Sequence, residues 1–184
     1  MEVKGTAVKS IPEYIRAKYP ERIMEWLDSL PPASRKIMDG IIVTNSWYPL
    51  REGLTIPVAQ AGKLFFGSET KGAWDMGRYS ADLALTGVYK LYVKFGTPKH
   101  IIERANRVFS AYFTPSEIST QASTKNSFTF RITKFDQIDP VVEHNIAGWM
   151  ERALEISGCS SVNVQIPFSL SQHHKFTEFQ LTWG

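Results

Sequence analysis

The chain has 184 residues, 43% of them hydrophobic and 21% charged, with 21 Lys and Arg against 18 Asp and Glu. This balance excludes a chain that is disordered throughout, and a net charge of +3 gives no electrostatic case for nucleic acid. The single cysteine, Cys159, excludes an intrachain disulfide and fits a reducing, cytoplasmic setting; no apolar stretch is long enough to span a membrane, and Met1 to Gly5 lack the apolar run of a signal peptide.

In chain order, Val3 to Val8 reads as a short strand weakened by Gly5. Ser10 is a candidate N-cap for a helix with Pro12 and Glu13 in its first turn, reaching Tyr19. A second helix spans Glu21 to Leu30, with Ile23, Trp26, Leu27 and Leu30 on one face, and Pro31-Pro32 stops it. A third covers Ala33 to about Gly40. Trp47 and Tyr48 then stand in a connection before Pro49, which opens a helix towards Phe66 with a break or kink expected near Pro57.

The strongest periodicity runs from Trp74 to Phe95. Trp74, Gly77, Ala81, Ala84, Leu85, Val88, Leu91, Tyr92 and Phe95 fall on one face, and Asp75, Arg78, Asp82, Lys90 and Lys94 on the other. Gly96 ends this helix. Thr97 and Pro98 start the next, whose stripe is Ile101, Ile102, Ala105, Val108, Phe109 and Tyr112. A locally basic run, Lys90, Lys94, Lys99, Arg104 and Arg107 with Glu103 among them, reads as the solvated face of these two helices, with an anion-binding face as the alternative.

After Pro115 the texture changes. Ile118–Ser123 and Ser127–Phe135 form a predicted hairpin turning near Lys125-Asn126, with Phe128, Phe130 and Ile132 alternating with polar residues. Asp139-Pro140 caps a helix to Ser157. Val142, Ile146, Trp149, Met150, Ala153 and Ile156 line one of its faces. Strands at Val162–Phe168 and Phe176–Trp183 close the chain. The expectation is one α+β domain over residues 1–184, with an N-terminal helical layer packed on an antiparallel sheet and β-β-α-β-β at the C-terminal end.

Catalytic signatures are missing from this pattern. Gly62-Lys63 is followed by Leu64, so the hydroxyl of a P-loop is lacking, and neither a dinucleotide-binding glycine run nor a nucleophile elbow occurs. His100 and His144 fall off the apolar stripes of their helices. His173 and His174 sit at the expected final turn, where adjacent side chains diverge, so no metal site is expected. Cys159 follows a helix end and reads as packing. The chemistry-bearing feature is the supply of large rings. Trp47, Tyr48, Trp74, Tyr92, Phe109 and Trp149 are the candidate ligand-binding residues, with Tyr48 offering a hydroxyl to orient an apolar ligand.

Val3-Lys4-Gly5-Thr6-Ala7-Val8, Ser46-Trp47-Tyr48-Pro49-Leu50, Tyr79-Ser80-Ala81-Asp82, Gly87-Val88-Tyr89-Lys90-Leu91, Gly96-Thr97-Pro98, Ala147-Gly148-Trp149 and the terminal Trp183 together resemble a bacterial protein family expanded in myxobacteria. More distantly, the opening and the β-β-α-β-β ending resemble the ligand-binding fold of nitric-oxide signalling and Golgi transport. That fold unites haem-nitric-oxide-binding domains, 4-vinyl-reductase-type domains and transport-particle subunits. The resemblance implies a helical layer over an antiparallel sheet, an apolar cavity and a homodimer. Its haem-binding members carry a histidine late in a central helix and a Tyr-x-Ser-x-Arg motif, whereas Ala105 to Phe113 contains no histidine and the motif is absent. Its 4-vinyl-reductase-type members carry two cysteines around the last hairpin, where Ser169 and Thr177 stand here. The expectation is therefore no cofactor, with haem and a cysteine-bound metal disfavoured. The partner is a small apolar molecule or a protein, and the domain is a non-enzymatic sensor or binding module. A closed-core interaction module and an enzyme of unfamiliar type are the alternatives.

Overall fold

The computed structural model describes residues 1–86 and 107–184. β1 (Glu2–Lys4) leads directly into α1 (Gly5–Lys18). The strand predicted to Val8 is thus three residues long. It pairs antiparallel with two brief partners, β2 (Trp47–Pro49) and β3 (Phe113–Thr114), which leave residues beyond Lys4 without a ladder to join. Helix begins at once, and Ser10 lies inside α1, its Oγ donating to the Ala7 carbonyl at 2.7 Å instead of capping. Pro12 is also interior to α1.

A 3₁₀ turn (Pro20–Arg22), α2 (Ile23–Asp28) and α3 (Pro32–Met38) complete the first layer. Trp26 is fully buried and its indole Nε1 donates to the Pro57 carbonyl at 3.0 Å. The chain does not break near Pro57, and the irregularity there is a change of helix type. A π-helical segment (Arg51–Thr55) runs into α4 (Ile56–Ala61), and a second (Gly62–Phe66) follows it. The widened turn ahead of Pro57 relieves the clash and missing donor that a proline brings to a regular helix.

α5 (Glu69–Thr86) begins five residues earlier than its apolar stripe suggested. Its predicted continuation to Phe95, including Val88, Lys90 and Tyr92, lies outside the described residues. Residues 107–112 are helical and enter β3. The predicted hairpin is present as β4 (Ser116–Ser123) and β5 (Ser127–Phe135). α6 (Pro140–Ile156) follows, its cap residue Asp139 accepting from the amides of Val141 and Val142. β6 (Asn163–Phe168) and β7 (Thr177–Thr182) complete an antiparallel four-stranded sheet in the order β4-β5-β7-β6. The architecture is α+β with β-β-α-β-β at its C-terminal end, as the pattern of elements predicted.

α5 and α6 make the most extensive contact between helices. They cross at two glycines. A Cβ on Gly77 would overlap the Asn145 carbonyl, and one on Gly148 would overlap that of Trp74. The backbones approach so closely that Asn145 Nδ2 donates to the Ala73 carbonyl at 3.0 Å. The polar face predicted for α5 is not simply solvated. Asp75 accepts from the buried Tyr14 hydroxyl at 2.5 Å, and Arg78 and Asp82 pair with α6. Burial, the hydrogen bond to Asp75 and the charge of Asp75 all push the Tyr14 hydroxyl pKa upward.

Candidate functional site

The inner face of the four-stranded sheet is set by strand alternation. Phe128, Phe130 and Ile132 of β5 point inward, and their register partners Leu181, Phe179 and Thr177 of β7 do the same. Phe109 packs on this face with its ring centre 5.7 Å from Phe130 and 5.2 Å from Phe113. α6 covers the face from the other side. Ile146, Trp149, Met150, Ala153 and Leu154 follow one another at helical spacing. These groups leave a partly open cavity of about 100 Å³ between α6 and the sheet, also lined by Ala7 from α1, Ser80 from α5 and Tyr112.

The wall is aliphatic and aromatic except for Ser80 and Asn145, and its described residues include no carboxylate, imidazole, thiol or basic group. The indole Nε1 of Trp149 is itself inaccessible and has no hydrogen-bond partner among the described residues. The Tyr112 ring lies 6.2 Å from the Trp149 ring.

Of the candidate residues, Phe109 and Trp149 meet at this cavity. Trp47 and Tyr48 are not part of its wall. They belong to β2, where Tyr48 opposes Val3, its hydroxyl accepts from the Val43 amide at 2.8 Å, and Trp47 lies under the Lys4 ammonium at 4.5 Å. Trp74 is also elsewhere, its Nε1 donating to Glu151 at 2.8 Å on the far side of the α5–α6 crossing. Tyr92 lies outside the described residues. Phe128, Phe130 and Leu181 were absent from the candidates, although strand alternation alone marks the two phenylalanines as inward-facing.

Outside the cavity, α5 and α6 share an ion cluster. The Arg78 guanidinium grips Glu155 at 2.8 and 3.1 Å and contacts Glu151. Arg152 reaches Asp82 at 2.7 Å and Glu155 at 2.9 Å. Burial acts to raise the Glu155 pKa, but the hydrogen bonds from Arg78 and Arg152 outweigh it and hold the carboxyl below its ordinary range.

A second polar cluster was not legible in the sequence. Glu143, only 2% exposed, accepts from Ser169 Oγ at 2.6 and 2.8 Å, Ser171 Oγ at 2.8 Å and Thr177 Oγ1 at 2.5 Å. Ser169 and Thr177 therefore bind a carboxyl through their hydroxyls. His174 turns back on the Ser169 backbone, with Nδ1 3.1 Å from its carbonyl and 3.3 Å from its amide nitrogen. Cys159 is half-buried, and burial pushes its thiol pKa up against a hydrogen bond from Ser157. Among the described residues no group of three or more His, Cys, Asp or Glu could hold a metal ion, and no helix is long and apolar enough to cross a membrane.

No protein-family model matches the sequence, and no curated protein matches it. Solved structures do. An H-NOX protein from S. oneidensis in the Fe(II)NO ligation state superposes with a TM-score of 0.75 at 12% identity, covering 98% of this chain and 99% of that one. The Fe(II)CO form of the Shewanella oneidensis H-NOX domain gives 0.73 at 13% identity over 98% of both chains. The unliganded Fe(II) H-NOX protein from K. algicida gives 0.72 at 10% identity over 98% and 96%. The chain shares their fold.

The fold of nitric-oxide signalling is thus present, whereas the comparisons do not reach the myxobacterial family or the 4-vinyl-reductase relation. They correct the expectation of no cofactor. The solved proteins of this fold are Fe(II) proteins, so haem is a cofactor that the fold admits. The described wall is largely apolar, with Phe109, Phe130 and Trp149 beside the cavity, but its volume of about 100 Å³ is too small for a macrocycle. It supplies no axial imidazole and no cation for a carboxylate edge, so no described residue is assigned to iron.

Proposed function

We propose that residues 1–184 act as one non-enzymatic sensor or binding domain whose cavity between α6 and the sheet takes a small, largely apolar ligand. The observation that carries this reading is the cavity wall, which is aromatic and aliphatic except for Ser80 and Asn145 among its described residues. The absence of any acid, base or nucleophile from its described lining supports binding over turnover. The neighbours support it further, because they are H-NOX proteins, two of them solved in NO- and CO-ligated states. Haem, which the fold admits, is larger than the cavity of about 100 Å³ and is tested beside this reading. A homodimer and kinship with the myxobacterial family are further parts of the proposal, resting on the sequence resemblance alone.

The cavity volume favours a compact ligand. About 100 Å³ is below the ~300–1,000 Å³ of sites for larger organic molecules, and nearer to the ~150 Å³ engineered cavity that takes benzene or xenon. The same smallness favours, as a second reading, an interaction module with a closed core. Melting the purified protein with and without benzene, xenon and haemin separates them, together with its visible absorbance spectrum and mass spectrometry of a solvent extract. A ligand at 100 times its Kd should raise stability by about 2.7 kcal/mol. Unchanged melting with all three probes, a colourless protein and an empty extract would leave the closed-core module.

A further inference from the structure

We propose that Ser80 and Asn145 form the polar recognition point of the cavity, so that the preferred ligand is a neutral, compact apolar molecule carrying one hydroxyl, which accepts from the Ser80 hydroxyl and donates to the Asn145 carboxamide oxygen. The inference rests on reading the cavity as a ligand site. It deepens that reading by naming the ligand's chemistry.

The two residues come from the helices that meet at the glycine crossing. Ser80 stands one turn after Gly77 on α5, Asn145 stands one turn before Gly148 on α6, and both line the cavity. Asn145 is held in place, because its Nδ2 donates to the Ala73 carbonyl at 3.0 Å. That bond leaves its carboxamide oxygen, an acceptor, without a partner among the described residues. Ser80 is only 7% exposed, and its hydroxyl also lacks a partner among the described residues. Buried hydroxyls elsewhere in the chain are spent, that of Ser10 on the Ala7 carbonyl at 2.7 Å and that of Ser169 on Glu143. Among the described residues, the unpartnered side-chain atoms that are also inaccessible are Ser34 Oγ, Thr55 Oγ1 and Trp149 Nε1. Neither Ser80 Oγ nor Asn145 Oδ1 is one of these, so the two free oxygens keep a surface that a molecule in the cavity can meet. A polar group withheld from water and left unpaired is costly, and a ligand that pairs it recovers the cost.

The pattern of donors and acceptors sets the ligand's polar group. Asn145 offers an oxygen that only accepts, and Ser80 a hydroxyl that donates or accepts. One ligand hydroxyl answers both. A ketone or ether can take the Ser80 proton but brings no donor for Asn145, and a hydrocarbon answers neither. An ionised group is excluded, because the described lining offers it no counter-charge.

Cyclopentanol and cyclopentane test this with the protein as purified. They share a ring and differ by one hydroxyl. The affinities of both are measured for wild type and for Ser80→Ala, which removes the side-chain oxygen and suits a helix. The expected result is that the variant loses about tenfold in cyclopentanol affinity, while cyclopentane changes by less than about twofold, the difference being the worth of one hydrogen bond. Equal changes for both probes, or a wild type that binds cyclopentane and not cyclopentanol, would overturn the proposal and leave the ligand site standing. Binding of neither probe to wild type would overturn the ligand-site reading as well. Should Ser80→Ala not fold, the side-chain amide resonance of Asn145 in ¹⁵N spectra of wild type decides. It should move with cyclopentanol and not with cyclopentane. A resonance unmoved by bound cyclopentanol would refute the pairing.

Discussion

At the scale of single residues, the polar group with most at stake is Glu143. A carboxyl this deeply buried is costly unless its oxygens are fully occupied. Here three hydroxyls from the β6–β7 connection and the start of β7 meet it, and Thr177 Oγ1 also accepts from the Leu170 amide at 2.9 Å. The cluster ties the first turn of α6 to the final hairpin. Glu143→Ala should therefore lower stability by about 3 kcal/mol, since it strands hydroxyls that then have too few acceptors. Glu143→Gln should cost only about 1 kcal/mol, because hydroxyls can donate to the amide oxygen and accept from its nitrogen. Chemical denaturation of the two variants checks the order, and equal losses would mean that shape rather than hydrogen bonding holds the hairpin. Nothing in the sequence announced this. Glu143 is one charged residue near a helix start, and its partners lie 26 to 34 positions away.

At the scale of elements, the periodicities of α5 and α6 and the alternation of β5 were readable, because each reflects burial of one face by a regular repeat. What periodicity could not show is that Arg78 and Asp82 turn towards a neighbouring helix. One helix taken alone shows a charged face, and only the facing Glu151, Arg152 and Glu155 turn it into an interface. Nor could it show the crossing point. Gly77 and Gly148 look like ordinary weak spots in a helix, yet each sits where the other helix's carbonyl leaves no room for a Cβ. Gly148→Ala should consequently destabilise the protein by about 2–3 kcal/mol, although alanine is the better helix former by about 1 kcal/mol. A melting temperature at or above wild type would show that the helices can slide apart at no cost.

At the scale of the whole molecule, the destination of each large ring depends on which elements cross. Trp47 and Tyr48 pack where β2 joins β1, Trp74 lies beyond the α5–α6 crossing, and Phe109 and Trp149 converge on the sheet. The fold class followed from element order, whereas the grouping of rings required the tertiary path. The cavity that results is a packing defect unless something occupies it, and Ala153 separates these two states. It is buried on α6, lines the cavity and belongs to a helix that accepts leucine readily. Ala153→Leu adds three carbons to the space, each worth up to about 0.8 kcal/mol of burial and offset in part by imperfect fit. The ligand-free protein should gain about 1 kcal/mol in stability, with its fold retained by circular dichroism. The same substitution should abolish the rise in melting temperature produced by benzene or xenon, since stability and ligand compete for one volume. A variant that is stabilised yet still responds fully to those probes would place the binding site somewhere other than between α6 and the sheet.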